Sequence, residues 1–131
     1  MVKLSVVIVS YKVRAYVEQC LMSLLRSLRD IDAEVFVVDN NSHDGTVQLI
    51  RSRFPHVKVM DSSHNLGFAR ANNAAIRQST GEYVLLLNPD TIVAEDTIST
   101  VLDFMDAHPQ AGSAGVAMQC VDGSLAPESR R

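Results

Sequence analysis

The sequence predicts an α/β domain, a mostly parallel sheet with helices on both faces, and three observations carry that prediction. Four short apolar runs, at 4–9, 33–38, 57–60 and 83–87, lack the polar alternation of a strand with one wet face. Such runs are expected of strands covered on both sides. Between them lie segments whose apolar residues recur at helical spacing. Each run also ends in polar residues: Ser10-Tyr11-Lys12, Asp39-Asn40-Asn41, Asp61-Ser62-Ser63 and Asn88-Pro89-Asp90. Strand–helix alternation defaults to parallel pairing, which brings all four ends to one edge of the sheet.

The first run is β-branched and nearly all apolar, which suits a central strand. A helix over 15–29 follows, with Val17, Leu21, Leu24, Leu25 and Leu28 as its apolar stripe. After the second strand, Ser42 or Asp44 is placed to cap a helix over 46–53, because their oxygens accept bonds from free first-turn amides. Asp39 stands at the strand tip, too early to be that cap. Phe54-Pro55 stops the helix. The third strand leads into a long loop, Asp61-Ser62-Ser63-His64-Asn65-Leu66-Gly67, and a helix lined with small residues at Ala69, Ala71, Ala74 and Ala75. Arg70 lies near that helix's N-terminus, where a cation gains nothing from the dipole. Pro89 cannot donate to a ladder, so the fourth strand stops there and presents Asn88 and Asp90 from a buried strand. A helix over 96–107 carries the stripe Ile98, Val101, Leu102 and Met105, and Asp96, Asp103 and Asp106 are assigned to its solvated face. Residues 114–121 read as a strand entering a hairpin turn at Asp122-Gly123, and Glu128 lies in a tail with no element to fix it.

With 131 residues the chain fits one domain, 1–131, and at that size about two-thirds of the unfolded surface can be buried. Apolar content of 47 % and charged content of 21 % are ordinary for a globular protein. A net charge of −3, with Arg130-Arg131 as the lone adjacent basic pair, argues against a nucleic-acid partner. Cys20 and Cys120 are a hundred positions apart. Neither sits in a metal-binding spacing, and both read as buried small hydrophobes. His43, His56, His64 and His108 sit singly and read as solvated. No run reaches the roughly 20 apolar residues of a membrane span, and the N-terminus lacks a cleavage site. The expected location is the cytoplasm, with the inner face of the membrane as a place of work.

Sheet order 3-2-1-4 would set the Asp90 strand beside the first, at the topological switch point where open α/β sheets bind ligands. There is neither a Gly-x-Gly-x-x-Gly after strand one nor a Gly-x-x-x-x-Gly-Lys-Ser/Thr, which excludes a dinucleotide fingerprint and a P-loop. A carboxylate at the tip of strand two can accept from a base or ribose donor. One at the switch point can hold Mg²⁺ or Mn²⁺, hard cations that share oxygen ligands with phosphates.

Four segments together carry a resemblance. These are Val6-Val7-Ile8-Val9-Ser10-Tyr11, Val37-Val38-Asp39-Asn40-Asn41-Ser42-His43-Asp44-Gly45-Thr46, Asn65-Leu66-Gly67-Phe68-Ala69-Arg70-Ala71-Asn72-Asn73 and Leu86-Leu87-Asn88-Pro89-Asp90-Thr91. In this order they resemble the N-terminal part of family 2 glycosyltransferases of the Rossmann-like GT-A fold. The Asn-Leu-Gly-Phe and Asn-Pro-Asp forms look most like the rhamnosyltransferase branch. The resemblance implies that Ser10, Tyr11, Asp39, Asn41, Arg70, Asn88 and Asp90 bind a nucleotide, with Asp39 accepting from the base imide. It implies that Asp90 takes the metal, Mg²⁺ or Mn²⁺. It also implies a UDP- or dTDP-sugar as donor and a glycan or lipid-linked glycan as acceptor. Asn88 stands where the family usually has an Asp, one charge fewer. The family's catalytic base lies further along, beyond Arg131, so the chain reads as a donor-binding half, truncated at its C-terminal end and prone to self-association at its open edge. The competing reading is a non-catalytic nucleotide-binding or assembly module of the same fold. A nucleotidyltransferase would want a Gly-rich loop after strand one, and Ser10-Tyr11-Lys12-Val13-Arg14 has no glycine.

Overall fold

The computed structural model describes residues 1–127. Four runs form strands, β1 (Leu4–Ser10), β2 (Ala33–Asp39), β3 (Lys58–Asp61) and β4 (Tyr83–Leu86), and four periodic segments form helices, α1 (Arg14–Ser27), α2 (Thr46–Arg53), α3 (Gly67–Ile76) and α4 (Thr97–Ala107). The sheet is parallel in the order β3-β2-β1-β4. Register aligns Ser10 with Asp39 and Asp39 with Asp61, so three strand tips end level. The polar ends therefore do share one edge.

Strand periodicity divides the core in two. Leu4, Val6, Ile8, Val35 and Val37 face α1, α2 and α4, which contribute Val17, Leu21, Leu24, Ile50, Ile98 and Leu102. Val7, Phe36 and Val38 face α3, whose Ala71 and Ala75 are fully buried. The small residues of α3 allow that close approach, as the sequence suggested. Helices thus lie on both faces, three on one and one on the other.

That imbalance corrects the reading of β4. Tyr83, Leu85 and Leu87 pack on the three-helix core, but Val84 and Leu86 are 41 % and 48 % exposed. Helix α3 covers β1 and β2 and leaves the outer strand bare on its side. The unbroken apolar run was read as two covered faces; one of them is open. Leu25 also departs from its assigned stripe and is exposed on α1. Cys20 is buried as expected, whereas Cys120 is exposed.

Past α4 the predicted strand over 114–121 is not formed. A single antiparallel bridge joins Gln119 to Leu125. The turn itself is present: Gly123 has φ of 87° and Asp122 Oδ1 accepts from the Ser124 amide and hydroxyl at 2.9 and 2.6 Å. With no neighbouring strand beside it, the return has nothing further to pair with. Asp106 is not merely solvated; it accepts from Lys3 Nζ at 2.8 Å and Tyr83 Oη at 2.9 Å, at the sheet edge opposite the polar tips. His108 stacks on Phe104 with ring centroids 4.2 Å apart, so it too is more than a solvated side chain. Glu128, Arg130 and Arg131 lie outside the described residues.

Candidate functional site

Two concavities open at the polar edge, on either side of the β1 tip. One, of about 90 Å³, is walled by Asp39, Asn41, Ser42, His43, Asp44 and Asp61, all from the loops after β2 and β3. The other, wider and about 620 Å³, is walled by Tyr11, Val13, Tyr16, Asn88, Pro89 and Asp90, from the loops after β1 and β4 and the first turn of α1.

The smaller concavity is built on Asp39, which is 2 % exposed. A buried carboxylate needs partners, and Ser42 supplies two. Its amide donates to Asp39 Oδ2 at 3.0 Å and its hydroxyl to Oδ1 at 2.7 Å. Ser42 therefore does not cap α2. Asp44 fills that role in part, since its Oδ1 accepts from the Thr46 amide at 3.1 Å and hydroxyl at 2.5 Å. Burial of Asp44 opposes its ionisation, but the bonds from Thr46 outweigh it and hold its carboxyl below the usual carboxylate range. Asn40 fastens the next loop: its side chain donates to the Gly67 carbonyl and accepts from the Leu66 amide, each at 3.1 Å. The long connection before α3 is thereby pinned to the β2 tip.

Backbone strain gathers here. The non-glycine residues with positive φ among those described are Lys12, Asn41 and His43, at 55°, 64° and 54°. Each left-handed residue costs on the order of 1–3 kcal/mol unless neighbours hold it, and all three border the site. Ser10, at the tip of β1, is fully buried, and its Oγ has no hydrogen-bond partner among the described residues. Native cores leave few such atoms unpaired.

In the wider cleft, the turn Asn88-Pro89-Asp90-Thr91 is closed by Thr91 Oγ1 donating to the Asn88 carbonyl at 2.7 Å. Buried Cys20 lies beneath it with Sγ 3.8 Å from the same carbonyl, and burial pushes its thiol pKa up. The side chains of Asn88 and Asp90 stay exposed. No group of three or more metal-ligating side chains occurs among the described residues. One carboxylate and one amide oxygen suit a hard cation that completes its shell with diphosphate oxygens and water. The donor set thus fits Mg²⁺ or Mn²⁺ arriving with a nucleotide, rather than a cation caged by protein.

Of the residues singled out in the sequence, Asp39 and Asn41 line the first concavity, and Tyr11, Asn88 and Asp90 the second. Ser10 sits between them on β1. Arg70 is exposed on the first turn of α3 and lines neither. Asp61, His43, Val13 and Tyr16 were missed. Asp61 was within reach, because its strand-tip register with Asp39 follows from parallel pairing; the other three depend on loop conformation.

The model of glycosyl transferase family 2 matches residues 5–130. The chain belongs to this family. A Mycobacterium tuberculosis relative, N-acetylglucosaminyl-diphospho-decaprenol L-rhamnosyltransferase, is 34 % identical over 98 % of this chain and 45 % of its own length. Staphylococcus aureus TarS in complex with UDP-GlcNAc superposes with a TM-score of 0.73 at 27 % identity, over 89 % of this chain and 37 % of that one. The Pyrobaculum calidifontis mannosyltransferase PcManGT, in complex with GDP-Man and Mn²⁺, gives 0.71 at 26 % identity over 91 % and 35 %. Family 2 chains of the GT-A fold therefore share this sheet, and this chain spans less than half the length of each of these relatives. No described helix is long and apolar enough to cross a membrane.

Proposed function

We propose that these residues form the donor-binding part of a family 2 glycosyltransferase, taking a nucleoside diphosphate sugar, UDP- or dTDP-linked, with Mg²⁺ or Mn²⁺. The observation that carries this reading is the pair of carboxylates, Asp39 and Asp90, on the strands either side of β1, each opening on its own concavity. The smaller concavity takes the base, with Asp39 accepting from a ring N–H and Asn41 beside it. Ser10 and Tyr11 lie under the ribose and diphosphate, and Arg70 supports the nucleotide from α3. Asn88 and Asp90 hold the cation, which neutralises charge on the departing diphosphate when bound.

Transfer breaks the bond from the sugar's anomeric carbon to the diphosphate and forms one to an acceptor oxygen, whose proton goes to a base. The acceptor we propose is a glycan or lipid-linked glycan, met at the cytoplasmic face of the membrane. None of the described carboxylates after Asp90 is a candidate for that base: Asp106 is held at the opposite edge, Asp122 is held in its turn, and Asp96 and Asp103 lie on α4. Residues 1–131 alone should bind donor and transfer nothing to acceptors. Calorimetric titration of UDP with and without Mn²⁺ tests the reading. Tighter binding with Mn²⁺, lost in Asp90→Ala, is expected; equal affinity in both conditions overturns the metal role. A non-catalytic nucleotide module would show the same binding, but longer forms carrying the remaining family segments would also fail to transfer.

A further inference from the structure

We propose that Ser42 is a positioning residue that aims the Asp39 carboxylate and couples the smaller concavity to the loop bearing Tyr11. This deepens, and rests on, the nucleotide reading of that site. Ser42 is 4 % exposed, and all three of its polar contacts converge on the two loops. Its amide and hydroxyl donate to the two oxygens of Asp39, at 3.0 and 2.7 Å. Its hydroxyl also accepts from the Lys12 amide at 2.8 Å. Lys12 follows Tyr11, which walls the wider cleft.

The hydroxyl has one hydrogen, already committed to Asp39, so its remaining capacity is as acceptor and Lys12 uses it. Asp39 is thus met by donors alone within the protein, and the lone pairs left over point where Ser42 does not. An acceptor held in that state favours a base offering a ring N–H. Ser42 also stands between left-handed Asn41 and His43, and Lys12 is left-handed as well, at 64°, 54° and 55°. These three backbone conformations meet at one side chain. Removing its oxygen frees Asp39 Oδ1, orphans the Lys12 amide and loosens both loops together. Base selectivity and diphosphate affinity should therefore fall in one step, although Ser42 touches neither base nor diphosphate.

The test is calorimetry of residues 1–131 with UDP, CDP and uridine at fixed Mn²⁺, comparing the parent with Ser42→Ala, Ser42→Thr and Asp39→Ala. In Ser42→Ala the UDP-over-CDP preference should fall about tenfold, the worth of one hydrogen bond to a charged group. The UDP-over-uridine ratio should fall with it. Ser42→Thr, which keeps the hydroxyl, should restore both ratios. Ser42→Cys, similar in size but a weak donor, should behave like Ser42→Ala and serves if the alanine variant does not fold. Equal weakening of all three ligands with both ratios unchanged would mean a merely structural role and overturns the proposal. A UDP-over-CDP preference that survives in Ser42→Ala but vanishes in Asp39→Ala overturns the coupling while leaving the base pocket standing. Equal binding of UDP and CDP by the parent and by Asp39→Ala overturns the pocket reading and this proposal with it.

Discussion

At the scale of single residues, Asp39 is the group on which most of the site depends. It is almost fully buried, bonded through both oxygens, and level with the neighbouring strand tips. An ionised carboxylate only accepts, whereas an amide also donates. Asp39→Asn should therefore narrow the preference for uridine over cytidine diphosphate by about tenfold, about the worth of one charge-assisted bond. Competition titration of the two nucleotides reads this directly, and an unchanged preference would remove Asp39 from base recognition. Of the site's parts, Asp39 was among the most legible in the sequence, because a carboxylate directly after an apolar run cannot be spent on a distant helix cap. The role of Ser42 was not legible. Its spacing before α2 fitted a cap, and only the left-handed backbone around it turns the side chain back onto Asp39.

At the scale of elements, the start of β4 is fixed by a polar cluster far from the site. Glu34 on β2 accepts from Ser5 Oγ at 2.7 Å, the Thr80 amide at 2.6 Å and Lys58 Nζ at 2.6 Å, while the Gly81 amide donates to Ser5 Oγ at 2.8 Å. A Cβ on Gly81 would lie 2.5 Å from the Ser5 nitrogen, so glycine alone permits this approach. Burial of Glu34 opposes ionisation, yet bonds from Lys58, Ser5 and Thr80 outweigh it and take its pKa from 4.5 to about 2. Because the folded value is depressed, its stabilisation is present above about pH 4.5 and is lost as pH falls toward 2. Denaturant melts of the parent and Glu34→Gln should differ by about 2 kcal/mol at pH 7 and converge near pH 2. A gap that stays constant with pH would refute the charged network. The other end of the same strand is open. Val84 and Leu86 are bare and β4 pairs only with β1 among the described residues, a flat apolar edge of the kind that invites pairing. Sedimentation should show concentration-dependent association that Leu86→Lys suppresses; a monomer at every concentration would contradict this. The missing cover on β4 was invisible in the sequence, since an unbroken apolar run looks the same whether its second face is covered or awaits cover.

At the scale of the whole molecule, strand order, parallel pairing and the gathering of polar tips all followed from strand–helix alternation and hydrophobic period. What did not follow was the division of those tips into two concavities, which depends on loops whose conformations are set by Asn40, Ser42 and Thr91 rather than by periodicity. The central claim is that both concavities belong to one nucleotide site spanning the tips of β2, β1 and β4. Amide chemical-shift mapping of labelled residues 1–131 during titration with UDP and Mg²⁺ tests it most directly. The account predicts concerted shifts at Asp39, Asn41 and Ser42, at Ser10 and Tyr11, and at Asn88 and Asp90, saturating with a single affinity. Shifts confined to one concavity, or two sets saturating at different concentrations, would contradict it.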